Sequence, residues 1–177
     1  MRSPILPRRY GFAGLVALAG WLLLVPAAGA CSSSSSEGDN CSQIQCINNV
    51  TLRLRVTLTA DQMKDTSIHV CRNGVCSQGE VDSLPAFRGD THKVLLTGGV
   101  PNDTTLDLAE PGKSYSVEAI IPIDDFPIDK TKDQYELRVK RGTTEVQGLA
   151  EKANYKETRP NGENCPTVCI NATIGNP

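Results

Sequence analysis

This chain is poor in the residues from which many active sites are built. Among its 177 residues are two histidines, His69 and His92, one tryptophan and two methionines, and aromatic residues make up 5% of it. Two histidines do not make a His-rich metal site, and no C-x-x-C pair offers a zinc ribbon or a dithiol redox centre. After the first thirty residues there is no G-x-S-x-G, no H-E-x-x-H and no glycine loop of the kind that cradles phosphate. The residues therefore supply no catalytic motif and call for no cofactor, and the chain reads as non-catalytic. Basic charge is also scarce. Lys and Arg number 18 against 20 Asp and Glu, and Arg2, Arg8 and Arg9 all precede residue 31, so the remainder stands near −5. A chain of that sign, without a basic cluster, is not a nucleic-acid binder.

What the chain does have begins at its N-terminus. A basic start is followed by an uncharged apolar stretch, Phe12 to Val25, shorter than the roughly 20 residues that span a bilayer. The small residues Ala28-Gly29-Ala30 follow, and then Cys31. That order predicts an export signal over residues 1–30, removed in the mature protein. Ala28-Gly29-Ala30-Cys31 resembles the lipobox of bacterial lipoproteins, in which the cysteine takes a diacylglyceryl group and becomes the new N-terminus. The resemblance covers only the signal, and Ala28 stands where such families usually carry Leu. It implies a membrane anchor of three acyl chains on Cys31, and Ser32 directly after the cysteine resembles lipoproteins sent on to the outer membrane. Residues 32–40, SSSSSEGDN, form a polar run that cannot bury a core and suits a flexible tether.

Residues 41–177 are enough for one domain. If Cys31 carries lipid, six of the seven cysteines remain: Cys41, Cys46, Cys71, Cys76, Cys165 and Cys169. An even count in an exported chain predicts disulfides. Val50 to Leu58 alternates apolar and polar residues with period two, the clearest strand in the chain. Ala60 to Asp65 turns the chain. Ser67 to Ser77 reads as a hairpin on Asn73-Gly74, whose type I′ turn sets Cys71 opposite Cys76 and predicts a cross-strand bridge. Further strands are expected at Lys93–Thr97, Thr105–Ala109, Ser114–Ile121, Tyr135–Lys140, Thr143–Gln147, Ala153–Thr158 and Val168–Ile174, with Gly- and Pro-rich turns between them.

Many short strands without a helical stripe predict an all-β sandwich or barrel. Leu108 to Val117, LAEPGKSYSV, resembles the tyrosine corner of immunoglobulin-like and fibronectin type III-like domains. The resemblance spans about ten residues and implies an immunoglobulin-like β-sandwich in which the Tyr115 hydroxyl returns to backbone near the turn. Cys46-Ile47-Asn48 before the first strand echoes Cys169-Ile170-Asn171 in the last, which suggests that disulfides tie the two ends. The odd step from 41 to 46 and the even step from 165 to 169 do not fit one regular ladder. Either Cys41 lies in a loop or a bulge absorbs the difference, and pairing within each end, Cys41 with Cys46 and Cys165 with Cys169, remains open.

Asp124, Asp125, Asp129 and Asp133 crowd one stretch between strands and are weak candidates for calcium, which favours converging carboxylates. Their spacing fits no EF-hand, and Lys130 and Lys132 stand among them, so a solvated acidic loop is the simpler reading. The sequons at Asn49, Asn102 and Asn171 carry meaning only in a eukaryote. The expectation is an exported envelope lipoprotein, held in the membrane by the lipid on Cys31, whose sandwich binds a protein or glycan. The alternatives are an accessory or catalytic subunit of an envelope hydrolase or transport system, and a plain secreted protein with no lipid anchor.

Overall fold

The computed structural model describes residues 45–124 and 127–176. Cys31 and Cys41, the signal and the tether all lie outside them. The described chain folds into eleven strands and one short helix in two sheets.

β1 (Asn49–Val56) follows its alternation, with Val50, Leu52, Leu54 and Val56 buried. It ends where Thr59 caps α1 (Ala60–Lys64), a single turn at a position expected to be a plain reversal. The Thr59 hydroxyl accepts from the Gln62 amide while the Gln62 side chain accepts from the Thr59 amide, a reciprocal capping box. α1 is held down by Met63, which is fully buried.

β2 (Ser67–Arg72) and β3 (Val75–Glu80) form the expected hairpin, with Arg72 opposite Val75 and Cys71 opposite Cys76. Asn73 has φ 51° and Gly74 φ 81°, the positive values that a type I′ turn demands. Cys71 and Cys76 are bonded to each other, their Cα atoms 4.0 Å apart.

The expected strand Lys93–Thr97 is two strands. β4 (Thr91–Val94) and β5 (Thr97–Gly98) lie at the edges of different sheets, β4 on β6 (Asp103–Glu110) and β5 on β3. The break falls at Leu95-Leu96, because adjacent residues of one strand face opposite ways and cannot both point inward. Leu95 is left exposed as the chain crosses over, while Leu96 packs against the core.

β6 and β7 (Ser114–Pro122) form a hairpin, β8 (Gln134–Arg141) and β9 (Thr144–Lys152) another. β10 (Lys156–Thr158) and β11 (Cys169–Ile174) complete the set. One sheet has the order β10-β11-β1-β7-β6-β4, the other β5-β3-β2-β8-β9. β11 runs parallel to β1, and the remaining pairs are antiparallel. The inward residues of β1, β6 and β7 meet Ile68, Val70, Tyr135, Leu137 and Val139 of β2 and β8 in one core. Each large apolar side chain so buried contributes about 1.5 to 3 kcal/mol.

Tyr115 opens β7 as expected and is buried, but it sits within the β6–β7 hairpin of one sheet. Among the described residues its hydroxyl makes no hydrogen bond to the turn backbone, so the expected corner does not form there. The tyrosine that follows a passage from one sheet to the other is Tyr135, at the start of β8.

Cys46 is bonded to Cys169, and the two ends of the domain are joined as the echoed motifs suggest. This excludes the pairing of Cys46 with Cys41 and of Cys169 with Cys165. Cys165 is also disulfide-bonded, to a partner outside the described residues. Cys46 precedes β1 and Cys165 precedes β11, so the parity conflict expected of a ladder does not arise. Asn48 reinforces the join: its side-chain oxygen accepts from the Ile170 amide at 2.7 Å and its backbone oxygen from the Ile123 amide at 3.2 Å.

Candidate functional site

The start of β1, the β2–β3 turn, residues 99–102, the chain between β7 and β8, and the chain after β9 gather at one end of the sandwich. Asp133 organises it. Its carboxylate is buried and accepts from the Asn73 side chain at 2.8 Å, the Arg72 guanidinium at 3.0 Å, the Tyr155 hydroxyl at 2.8 Å and the Asp129 amide at 3.2 Å. Tyr155 in turn meets the Tyr135 hydroxyl at 2.9 Å. Arg72 also donates to the Pro127 carbonyl at 2.8 Å and lies 5.8 Å from the centre of the Tyr135 ring, within cation–π range.

Burial alone would raise the Asp133 pKa. The hydrogen bonds from Asn73, Tyr155 and Arg72, with the Arg72 charge, outweigh it and hold the carboxyl below its ordinary range. Burial, together with the bonds to Tyr135 and Asp133, pushes Tyr155 far above the usual phenol range and keeps its proton in place. Neither group is poised to exchange a proton near neutrality. The network is a clamp that fixes the turn at Asn73, the strand start at Tyr135 and the segment at Tyr155 against one another.

Against this clamp opens a cleft of about 250 Å³, lined by Arg72, Asn73, Val75, Gly99, Val100, Ile121 and Pro127. Its walls are set by packing. The Ser77 hydroxyl donates to the Val100 carbonyl at 2.8 Å and accepts from the Val100 amide at 2.9 Å, which pins residues 99–101 beside β3. A Cβ at Gly99 would lie 2.6 Å from Cγ1 of Val75, so a side chain there would require Val75 to shift. A void of about 150 Å³ holds benzene, so the cleft has room for one large apolar side chain. Val75 stands half-exposed at its rim.

The acidic candidates for calcium are dispersed. Asp124 accepts from the Asn48 side chain at 2.6 Å, Asp129 caps its own turn through Thr131 and Lys132, and Asp133 serves the clamp. Asp125 lies outside the described residues. No three His, Cys, Asp or Glu side chains converge for a metal among the described residues. The clamp and cleft were not singled out in the sequence. The signals were present but unlinked: Asn73-Gly74, Asp133 two residues before Tyr135, and the paired glycines before Val100.

His69 lies on β2, its Nε2 3.0 Å from the Ser67 hydroxyl. Burial lowers its pKa and the Lys140 charge adds to that, so it is neutral at pH 7. His92, expected just before a strand, lies within β4 and bonds to Ser83 and Asp90. The chain matches no family model, and it has no significant match among curated proteins or solved structures.

Proposed function

We propose that the protein is a bacterial cell-envelope lipoprotein whose β-sandwich is a binding module. The apolar cleft beside the Asp133 clamp takes one large apolar side chain of a protein partner. The single observation that carries the reading is the cleft itself: an apolar socket of about 250 Å³ beside a polar network in which the Asp133 carboxylate accepts four hydrogen bonds. Its lining of Val75, Val100, Ile121 and Pro127 suits a hydrophobic anchor residue better than a glycan, which needs a spread of polar partners.

Cysteine parity supports the anchor. All five described cysteines are disulfide-bonded, which leaves only Cys31 and Cys41 as candidates to pair with Cys165. On this reading Cys41 takes that place and Cys31 is the thiol left for lipid, with acyl chains that bury methylenes at about 0.8 kcal/mol each. Disulfides of this number suit an oxidising, exported setting.

The finer fold reading is immunoglobulin-like, and strand order supports it. β1, β7 and β6 occupy the places of strands B, E and D, while β3, β2, β8 and β9 occupy those of C′, C, F and G. Tyr135, not Tyr115, then holds the position of the corner tyrosine near the start of strand F. Two features depart from the pattern: β11 fills the place beside β1 and runs parallel to it, and no bridge joins β1 to β8.

The test is photo-crosslinking in the membrane-anchored protein, with the reactive group at position 75 on the cleft rim or at position 144 on β9. A protein adduct from position 75 alone is expected. Equal adducts from both positions, or a carbohydrate adduct at 75, would overturn the reading.

A further inference from the structure

We propose that Ser83, His92 and Asp90 form a second site, a nucleophile, a base and an orienting acid that hydrolyse short-chain acyl esters. The loop between β3 and β4 builds it. Val81 is buried and its amide donates to Thr66, which fixes the start of the loop. At the far end the Asp90 amide donates to the Phe87 carbonyl, and the Asp90 carboxylate accepts from the Ala86 amide at 2.9 Å. Asp90 is thereby aimed at His92, whose Nε2 lies 3.2 Å from Oδ2. On the other side of the ring, Nδ1 lies 2.9 Å from the Ser83 hydroxyl oxygen.

Both separations fall within the hydrogen-bond reach expected of a nucleophile, its base and the group that orients the base. A proton on Nε2, facing the carboxylate, leaves Nδ1 to accept from Ser83. The two ring nitrogens exchange the roles they have in serine proteases, with the same proton count.

Ser83 lines a pocket of about 100 Å³ together with Glu80, Asp82, Lys93, Val94 and Leu95. At roughly 30 Å³ per water-sized group, this takes an acyl chain of two or three carbons.

In the reaction, the Ser83 oxygen bonds to the carbonyl carbon and its proton passes to Nδ1 of His92. The bond to the alcohol then breaks, and the alcohol leaves with that proton. Water attacks the acyl-Ser83, again giving a proton to His92, which returns it to Ser83 as the carboxylic acid departs. Asp90 touches no reacting atom and is a positioning residue.

This site shares no residue with the apolar cleft, so each reading stands or falls alone. The test is to treat the disulfide-bonded protein with a fluorophosphonate and locate the adduct by peptide mass spectrometry. Ser83 is expected to be the modified serine. His92→Gln should slow its labelling about a hundredfold or more. Asp90→Asn should shift the pH profile of labelling, which a purely structural role would leave in place. Hydrolysis of 4-nitrophenyl acetate should be lost in Ser83→Ala. An unmodified Ser83 in the native protein, which requires no variant to fold, overturns the proposal. So does labelling at an unchanged rate in a His92→Gln protein that melts like the parent.

Discussion

Two ion pairs in this domain join the same kinds of group and do different work. Arg72 and Asp133 meet at 3.0 Å with side chains 9% and 3% exposed, whereas Arg55 and Glu110 meet at 2.5 Å with 45% and 53% exposed. The shorter contact is the weaker one. On the open face of the β1-containing sheet, water and salt screen the charges, and two long side chains lose freedom to hold the pose. Inside the loop end, removing Arg72 and Asp133 from water is costly, and the pair is sustained because Asn73, Tyr155 and the Asp129 amide also serve the carboxylate. Enclosure and the number of donors on the carboxylate, rather than distance, decide what a pair contributes.

The largest expected effect comes from opening the loop end covalently. Cys46 and Cys169 are separated by 123 residues, so replacing both with alanine releases a very long loop. The chain-entropy model gives a loss of about 4 to 5 kcal/mol, read as the shift of the urea midpoint under non-reducing conditions. The same change at the exposed pair's sheet face has no counterpart, because nothing there depends on closure.

Next is Asp133→Ala, which strands a buried guanidinium. A loss of about 3 to 5 kcal/mol is expected in the same measurement, against less than about 0.5 kcal/mol for Glu110→Ala. Acid should separate the two pairs as well. The folded Asp133 carboxyl titrates below its unfolded value of 3.8, so the stability it contributes is complete about one pH unit above 3.8. That stability is lost as pH falls through the lower, folded value. Urea midpoints between pH 6 and 2 should therefore fall more steeply in the parent than in Asp133→Asn.

Tyr155→Phe removes one hydroxyl from the clamp and leaves Tyr135 and Asp133 each short of a partner. About 1 to 2 kcal/mol should be lost. Arg55→Ala is the smallest, within about 0.5 kcal/mol, and raised salt should erase even that. A large effect at Arg55 or a small one at Asp133 would collapse the contrast.

Local pattern made much of the fold legible. The alternation of β1 and the Asn73-Gly74 turn each depend on neighbours in the chain, and the hairpin register, with its bridge from Cys71 to Cys76, follows from the turn. The cap of α1 lies in Thr59 and Gln62, but a helix of one turn is too short to show an apolar stripe, and the segment reads as a plain turn. The clamp was not legible. It brings Arg72 to Asp133 across 61 positions and Tyr155 across a further 22, and no period or motif encodes such a meeting. The acids of residues 124–133, weak candidates for calcium in the sequence, go to different partners where they are described: Asp124 to Asn48 and Asp133 to Asn73, both far along the chain, and Asp129 to its neighbour Thr131. Ser83 and His92 are only nine residues apart, yet the loop that joins them is irregular and could not be read from pattern.

The most direct test of the central claim, a lipid-anchored domain with every other cysteine in a bridge, is an intact mass. The protein is taken from the membrane fraction without reduction. The expected result is the mass of residues 31–177 with lipid on Cys31, less six hydrogens for three disulfides. An unlipidated chain in the soluble fraction, or a mass that places Cys31 in a bridge, would contradict it.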